Sequence, residues 1–424
     1  MEFTMIKTRW WACAFLCAVA GTAGATNGYF LPGYGTNSKA EGGIGIALPQ
    51  DALTVATNPA GLAEVADAIS VGVEIFRPSR GASLVQGGQT TQFDGNDTKT
   101  FYLPEFGYRH GIDERWSWGV ALYGNGGLDT DYGINPFARF APPGSTVARG
   151  SAGVNLQQAF LSPALSYRLG DHQSIGLSLN VAYERFEAKG VGLFAGFSED
   201  PSQVSNHAFD GSFGAGVRLG WIGHFGDWFS AGATWQSKTK MGRLTKYAGL
   251  FADQGGFDVP ETYGLGIAVR STQDWTLGLD WQRILYASVG SVGDPINSLF
   301  LGVPLGASGG PGFGWQNISV VKLGASYQID ESLVLRLGVS HSDEPVQPSQ
   351  TFFNILAPGV IKDHVTGGVS WQFSARDALN VAYIHAFKNT VNGSGSIPPA
   401  FGGGEANVHL EEDSVAISLS HGFQ

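Results

Sequence analysis

Charge is the first scarcity in this chain. Asp, Glu, Lys and Arg supply 14% of its 424 residues, where a soluble globular chain carries about 25%. Apolar runs are short as well: after the first twenty-five residues, no segment reaches the roughly 18 uncharged apolar residues that a membrane-crossing helix needs. The first absence argues against a soluble domain and the second against a helical membrane protein. A β-barrel, which crosses a membrane on short alternating strands, satisfies both. Cysteine is nearly missing, and Cys13 and Cys17 both sit in the N-terminal apolar run. That run, Trp10 to Ala20, follows Lys7 and Arg9 and precedes the small residues Ala23-Gly24-Ala25. The pattern reads as a signal peptide, residues 1–25, with the exported chain beginning at Thr26. Export then removes both thiols, and with them any disulfide, thiol nucleophile or cysteine metal site. The acidic balance, a formal charge of -11, disfavours nucleic acid as a partner.

Glycine and aromatic residues are abundant: 62 Gly, 27 Phe, 13 Tyr and 11 Trp. They are arranged with a period of two. In SYQIDESLVLRLGVS (Ser326 to Ser340), Leu333, Leu335, Leu337 and Val339 alternate with Arg336, Gly338 and Ser340, the signature of a strand with two unlike faces. Short polar turns precede such strands repeatedly, with an aspartate at Asp113, Asp171, Asp227, Asp274, Asp330 and Asp377. Between these hairpins lie long segments rich in Gly, Pro, Asn and Ser: Gly124 to Asn155, Ala188 to Asp210, Ala287 to Gln316, Ser342 to Lys362 and Asn389 to Glu412. Short turns at one end and long loops at the other are the asymmetry of an outer-membrane barrel. Counting strands over 68–424 predicts about fourteen, all antiparallel. One face carries Trp118, Leu177, Leu279, Val369 and Ile417; the other collects Glu74, Glu105, Arg109, Glu184, Arg218, Lys238, Asp280, Lys322 and Arg336. A lipid-facing Arg or Lys at mid-membrane costs about 2–4 kcal/mol, so the charged face is expected to line the lumen.

Thr26 to Asp67 lacks alternation and is too apolar for a solvated tail, which predicts a plug of short helices, residues 26–67, inside the barrel. Within it, GGIGIALPQDALTVATNPAGL (Gly42 to Leu62) resembles the hatch of the long-chain fatty acid and aromatic hydrocarbon outer-membrane transporter family. The resemblance continues through GATWQSK (Gly232 to Lys238), VLRLGVSHSDEPV (Val334 to Val346) and LNVAYIHAF (Leu379 to Phe387). It implies a hatch-plugged barrel of the Gram-negative outer membrane that takes up hydrophobic molecules passively, without a cofactor. Capture among extracellular loops, an inner pocket near the N-terminus and sideways release into the membrane are part of that implication. The partners it implies are fatty acids, alkanes or aromatics, the surrounding outer-membrane lipid and lipopolysaccharide, and the barrel-assembly machinery; a monomer is expected.

Candidate site residues follow from position and chemistry. Tyr29, Phe30 and Leu31 could wall an apolar pocket, or simply pack the hatch. Phe300 and Phe353 are apolar residues in long loops, where exposed clusters mark binding sites. Lys238, Lys322 and Arg336 could attract an acidic head group, or belong to an ion-pair network with Glu184 and Asp280. Asn58, Pro59, Ala60 and Gly61 are gating candidates, chiefly on the resemblance; a capped helix start explains the same residues. No metal site is expected from the nine histidines, whose spacing offers no close ligand pair. Gly306 to Gly310 matches the hydrolase elbow in form but lacks the strand and helix that an elbow requires. A general porin or adhesin barrel, or a barrel lipid hydrolase, are the alternatives; an open porin would have no plug before its first strand.

Overall fold

The computed structural model describes residues 26–423; the expected signal peptide, residues 1–25, lies outside the described residues. Fourteen strands form the wall. They are β1 (Ala68–Gln86), β2 (Phe101–Gly111), β3 (Trp116–Tyr132), β4 (Ala152–Arg168), β5 (Gln173–Lys189), β6 (Asp210–His224) and β7 (Phe229–Gln236). The second half comprises β8 (Thr262–Arg270), β9 (Trp275–Ile284), β10 (Ile318–Asp330), β11 (Leu333–Ser342), β12 (Asp363–Gln372), β13 (Asp377–Val391) and β14 (Glu405–Gly422). Each pairs antiparallel with its sequence neighbours, and β1 pairs with β14 from Ala68↔Gly422 to Val85↔Glu405, closing the barrel. Two short pieces lie outside this ring: Gln89–Asp94 folds back on the upper part of β1, and Lys240–Met241 pairs with β6.

The aspartate turns occur as expected. In the β2–β3 turn, Asp113 Oδ1 accepts the backbone N–H of Arg115 and of Trp116, both at 2.7 Å. Those donors hold the exposed carboxyl below its ordinary range. Asp330 takes Ser332 N in the same way at 2.8 Å. The strands run further into the long-loop end than the loop boundaries read from sequence. The first expected loop, Gly124 to Asn155, contains the last nine residues of β3 and the start of β4, and the last, Asn389 to Glu412, contains the start of β14.

The outward face is apolar over a band set by β14. From Asp413 to Phe423, the outward residues between are Val415, Ile417, Leu419 and His421. Ten residues at about 3.3 Å each, tilted by about 40°, cover about 25 Å, the height of an outer-membrane apolar belt. Aromatic pairs rim the short-turn edge, including Trp116–Tyr167 at 4.6 Å and Trp275–Tyr327 at 4.7 Å between ring centroids. At the other edge the outward face turns polar, with His385 Nδ1 2.9 Å from Asp413 and His341 Nδ1 2.7 Å from Asp363.

Residues 26–67 fill the lumen. One helical turn, Thr36–Ala40, and two 3₁₀ turns, Ala52–Ala56 and Pro59–Ala63, are joined by irregular backbone whose carbonyls and N–H groups need partners away from water. The wall's charged side chains supply them. Asp280 accepts Gly45 N at 2.8 Å and Ile46 N at 3.0 Å, and Arg218 Nη1 donates to Thr57 O at 2.9 Å. Lys39, on the helix, sits 2.8 Å from both Glu74 and Glu105. Backbone contact is also steric: a Cβ on Gly220 would overlap Asn58 Oδ1, and one on Gly176 would overlap the Pro59–Ala60 peptide. Below the plug, toward the short turns, lies a polar vestibule of about 1,090 Å³ bordered by Asn37, Gln50, Asp51 and Arg336.

Candidate transport path through the barrel

The wall is not continuous. β2 pairs with β1 along Phe101–Arg109, but with β3 only from Phe106↔Leu122 to Gly111↔Ser117. Above that register the β2 segment Phe101–Glu105 and the β3 segment from Tyr123 upward are no longer paired. Two residues cause the separation. Pro104 has no N–H to give a ladder and belongs on an edge. On the facing strand, Asn125 is an inserted residue: the β3–β4 register jumps from Gly124↔Ala159 to Gly126↔Gln158, a bulge that bends its strand.

The N-terminal segment fits into this bend. Leu31 N donates to Asn125 O at 3.3 Å and Gly127 N to Tyr29 O at 3.1 Å. The Asn125 side chain turns inward to accept Tyr34 OH at 3.0 Å. Leu31 packs with Phe76, Phe101, Leu103 and Ile384 on the lumen side of the gap, so apolar side chains floor the breach.

From the other end, a small apolar cavity opens among the long loops, lined by Val154, Phe186, Phe194, Phe251, Phe313 and Phe353 among others. Aromatic contacts lead from it to the breach. Phe186 meets Phe251 at 4.6 Å, Phe251 meets Phe257 at 5.0 Å, Phe257 meets Tyr29 at 6.2 Å and Tyr29 meets Phe30 at 5.3 Å. Phe30 then bridges to Gly126 on the bulged strand. Tyr286 and Trp315 complete the ring around Tyr29, at 5.2 and 5.9 Å. Tyr286 OH accepts Tyr29 N at 3.1 Å, and Trp315 Nε1 donates to Asn354 Oδ1 at 2.6 Å. The Tyr29 hydroxyl and both polar atoms of the Asn27 side chain have no partner among the described residues.

The structure distributes the sequence candidates over separate places. Tyr29, Phe30 and Leu31 lie together on the path, and Phe353 lines the loop cavity. Phe300 is 42% exposed on the short helix Asn297–Phe300, away from the cavity lining. Lys322 Nζ donates to Pro32 O at 2.7 Å and Gly43 O at 3.3 Å, and Arg336 pairs with Glu41 at 3.2 Å; both hold the hatch. Lys238 stands two residues past the end of β7 and bonds Ser288 O. Asn58 caps the second 3₁₀ turn, accepting Ala60 N at 3.1 Å, with Pro59 at the first position. The same side chain donates to Ile46 O at 2.7 Å and Trp221 O at 3.1 Å, so it caps one turn and ties the hatch to β6. Ala60 and Gly61 follow it, buried, in that turn.

Sequence reading missed Phe251, Phe257, Tyr286, Trp315 and Asn125. The first two lie in the long loop between β7 and β8, which carries no alternation to draw notice. The signal for Asn125 was Gly124-Asn125-Gly126-Gly127, a run without apolar side chains inside a strand.

Trp315 is positioned by pairing with Val346, and Glu344 anchors that loop by accepting Val346 N at 3.1 Å and Asn389 Nδ2 at 2.8 Å. Burial pushes the Glu344 carboxyl up to about 7 from 4.5, against the lowering effects of the Val346 N–H bond and then of Lys362. A raised acid prefers its proton in the docked loop, so docking is fully favoured below about pH 4.5, weakens as pH rises toward 7 and levels off above. Trp315 fluorescence in a background lacking the other tryptophans should track this, and Glu344→Gln should flatten it. An unchanged pH profile in that variant would remove Glu344 from the account.

A barrel with its axis plugged and a row of packed aromatic residues reaching a gap in its wall is an outer-membrane transport barrel. The chain belongs to the family described as outer membrane protein transport protein (OMPP1/FadL/TodX), whose model matches residues 18–423. That family transports and is not enzymatic. The fold is similar to the Pseudomonas putida toluene transporter TodX, with a TM-score of 0.69 and 19% identity over 93% of this chain and 99% of that one. It is also similar to a Pseudomonas aeruginosa FadL homologue (TM-score 0.69, 15% identity, 94% and 100% covered). The Ralstonia pickettii toluene transporter TbuX aligns at TM-score 0.62 with 18% identity, 93% and 99% covered. In sequence, a Neisseria meningitidis serogroup B protein, NMB0088, is 26% identical over 115 residues, 26% of this chain and 24% of that protein.

Proposed function

We propose that this barrel carries small hydrophobic molecules from the extracellular side into the outer membrane. They are captured in the loop cavity, pass along the aromatic residues to Tyr29 and Phe30, and leave sideways through the breach between β2 and β3. The observation that carries this reading is the continuous row of packed aromatic side chains between a cavity at the long-loop end and a gap in the wall, beside an axis blocked by residues 26–67. Sideways exit has a physical rationale. An apolar solute gains about 25 cal/mol for each Å² kept from water, so a route ending in the bilayer avoids rehydrating it in the periplasm. Two of the similar structures are described as toluene transporters, which supports a monoaromatic or alkyl substrate. With its hatch in place, a general diffusion pore is the weaker reading.

The test is uptake by cells lacking their own barrels of this kind and expressing this one. Radiolabelled ethylbenzene should enter faster than in empty-vector cells, while proteoliposomes bearing the barrel should not swell in a small sugar. Sugar-driven swelling with no gain in ethylbenzene uptake would replace this reading with a general pore.

A further inference from the structure

The outer surface at the extracellular end of β6 carries cations that the transport path does not use. Lys238, Lys240, Arg243 and Lys246 fall within nine residues of a chain that has only 25 Lys and Arg, and the last three of them are exposed. Lys240–Met241 pairs with Ala215 and Gly214 of β6. Cross-strand partners share a face, so Lys240 points outward with the exposed Ala215. Gly242 N donates to Phe213 O at 2.9 Å and Lys246 Nζ to Phe209 O at 2.7 Å, which lays the segment along the strand end. Arg185, on β5 opposite Gly211, stacks over the Phe209 ring at 4.5 Å. It marks the height of the patch. The outward residues of β5 before it, Ile175, Leu177, Leu179, Val181 and Tyr183, are uncharged, and Tyr183 meets Phe213 at 4.9 Å. Ten steps of about 3.3 Å, tilted by about 40°, carry the strand from Ile175 to Arg185 over about 25 Å, the height of the apolar belt. Arg185 therefore stands where hydrocarbon gives way to head groups.

Arg185, Lys240, Arg243 and Lys246 have no acid to balance them. Among the described residues, the ion pairs of Lys and Arg belong to Lys39, Arg80, Arg109, Lys189, Arg283 and Arg336. Arg185 Nε donates to Gln157 Oε1 at 2.6 Å and Arg243 Nη1 to Gln254 Oε1 at 3.3 Å, both neutral. The acids on neighbouring segments are engaged elsewhere. Asp210 accepts Gly211 N at 3.0 Å and Lys246 N at 2.8 Å, Asp258 accepts Met241 N at 2.9 Å, and Glu187 lines a polar pocket together with Lys189. We infer that the four cations bind the phosphates of the outer-leaflet glycolipid, lipopolysaccharide. Uncompensated charge chooses a polyanion, and Arg and Lys are the side chains that bind phosphate. Position chooses a lipid. Below the cations, Phe213 and Leu219 of β6 are 65% and 47% exposed, so one continuous face offers donors to a head group and apolar surface to its acyl chains. A soluble anion would use only the upper half. The site is independent of the transport reading, because these side chains face away from the lumen.

The mature barrel in dodecyl maltoside micelles is titrated with lipid A, the phosphorylated anchor of lipopolysaccharide, and with lipid A stripped of its phosphates. Native mass spectrometry reads the bound fraction. The wild type should bind the phosphorylated lipid at least tenfold more tightly. A triple variant, Lys240→Gln with Arg243→Gln and Lys246→Gln, should bring the two lipids to near-equal affinity, with heat-modifiable mobility on gels as the check on folding. A control triple, Lys99→Gln with Arg139→Gln and Arg149→Gln, removes the same charge from exposed side chains of other long loops and should keep the preference. Equal binding of both lipids by the wild type, a preference that survives in the folded patch variant, or an equal loss in the control would each overturn the assignment. Displacement of bound lipid A by millimolar inorganic phosphate would also overturn it, in favour of a soluble anion.

Discussion

Deleting Asn125 should abolish hydrocarbon uptake and leave a folded barrel. Before the bulge, the inward residues of β3 are Ser117, Gly119, Ala121 and Tyr123; after it they are Leu128, Thr130 and Tyr132. The inserted residue shifts the inward set from odd to even positions. Removing it places Gly126 directly after Gly124, so every inward side chain stays inward and none of the apolar face is turned into the lumen. A one-residue slip normally flips a whole strand; here the deletion corrects one. β2 could then continue its ladder upward, with Glu105 opposite Tyr123 and Leu103 opposite Gly126, and the breach would be sealed except at Pro104. Ethylbenzene uptake should fall to the empty-vector rate, with normal heat-modifiable mobility on gels as the check on folding. Normal uptake by a folded deletion variant would mean that substrate does not leave between β2 and β3.

That the breach was invisible in the sequence has a specific cause. Alternation made the strands legible: Leu333, Leu335, Leu337 and Val339 announce β11 because lipid rewards every second side chain, and Asp113 or Asp330 announces the turn because its carboxylate binds the backbone there. Gly124 to Gly127 has no side chains for lipid or lumen to select, so it read as the start of a loop while forming the bend of a strand. The lumen bases show the same division between face and partner. Parity placed Lys322 and Arg336 inside, but the atoms they bind belong to Pro32, Gly43 and Glu41, about 300 positions away in the chain. Period says which way a side chain points, and tertiary structure says what it meets. Lys238 was placed among the lumen residues of a strand, whereas β7 stops at Gln236 and Lys238 stands beyond it, bonded to a loop carbonyl.

Arg336 offers the second large effect, and it separates a hatch anchor from a ligand contact. Glu41 has a side chain only 1% exposed and lies 3.2 Å from Arg336, with Gln50 Nε2 donating to it at 2.7 Å. Replacing Arg336 with Met leaves Glu41 as a buried carboxylate without its cation, which costs about 3–5 kcal/mol when one partner of such a pair is removed. Water is close, because the vestibule of about 1,090 Å³ borders both Gln50 and Arg336. The least costly response is for the Glu41 segment to shift toward that vestibule, taking with it Gly43, held by Lys322, and Gly45, held by Asp280. The seal across the lumen then loosens, and ion conductance in planar bilayers should rise several-fold over the wild type while the barrel itself stays intact. Glu41→Gln combined with Arg336→Met should return conductance most of the way, since a neutral amide needs no cation and replacing both partners is far less costly than removing one. A ligand-binding Arg336 gives the opposite pattern: conductance stays at the wild-type value, uptake of an acidic substrate falls, and the second substitution rescues nothing.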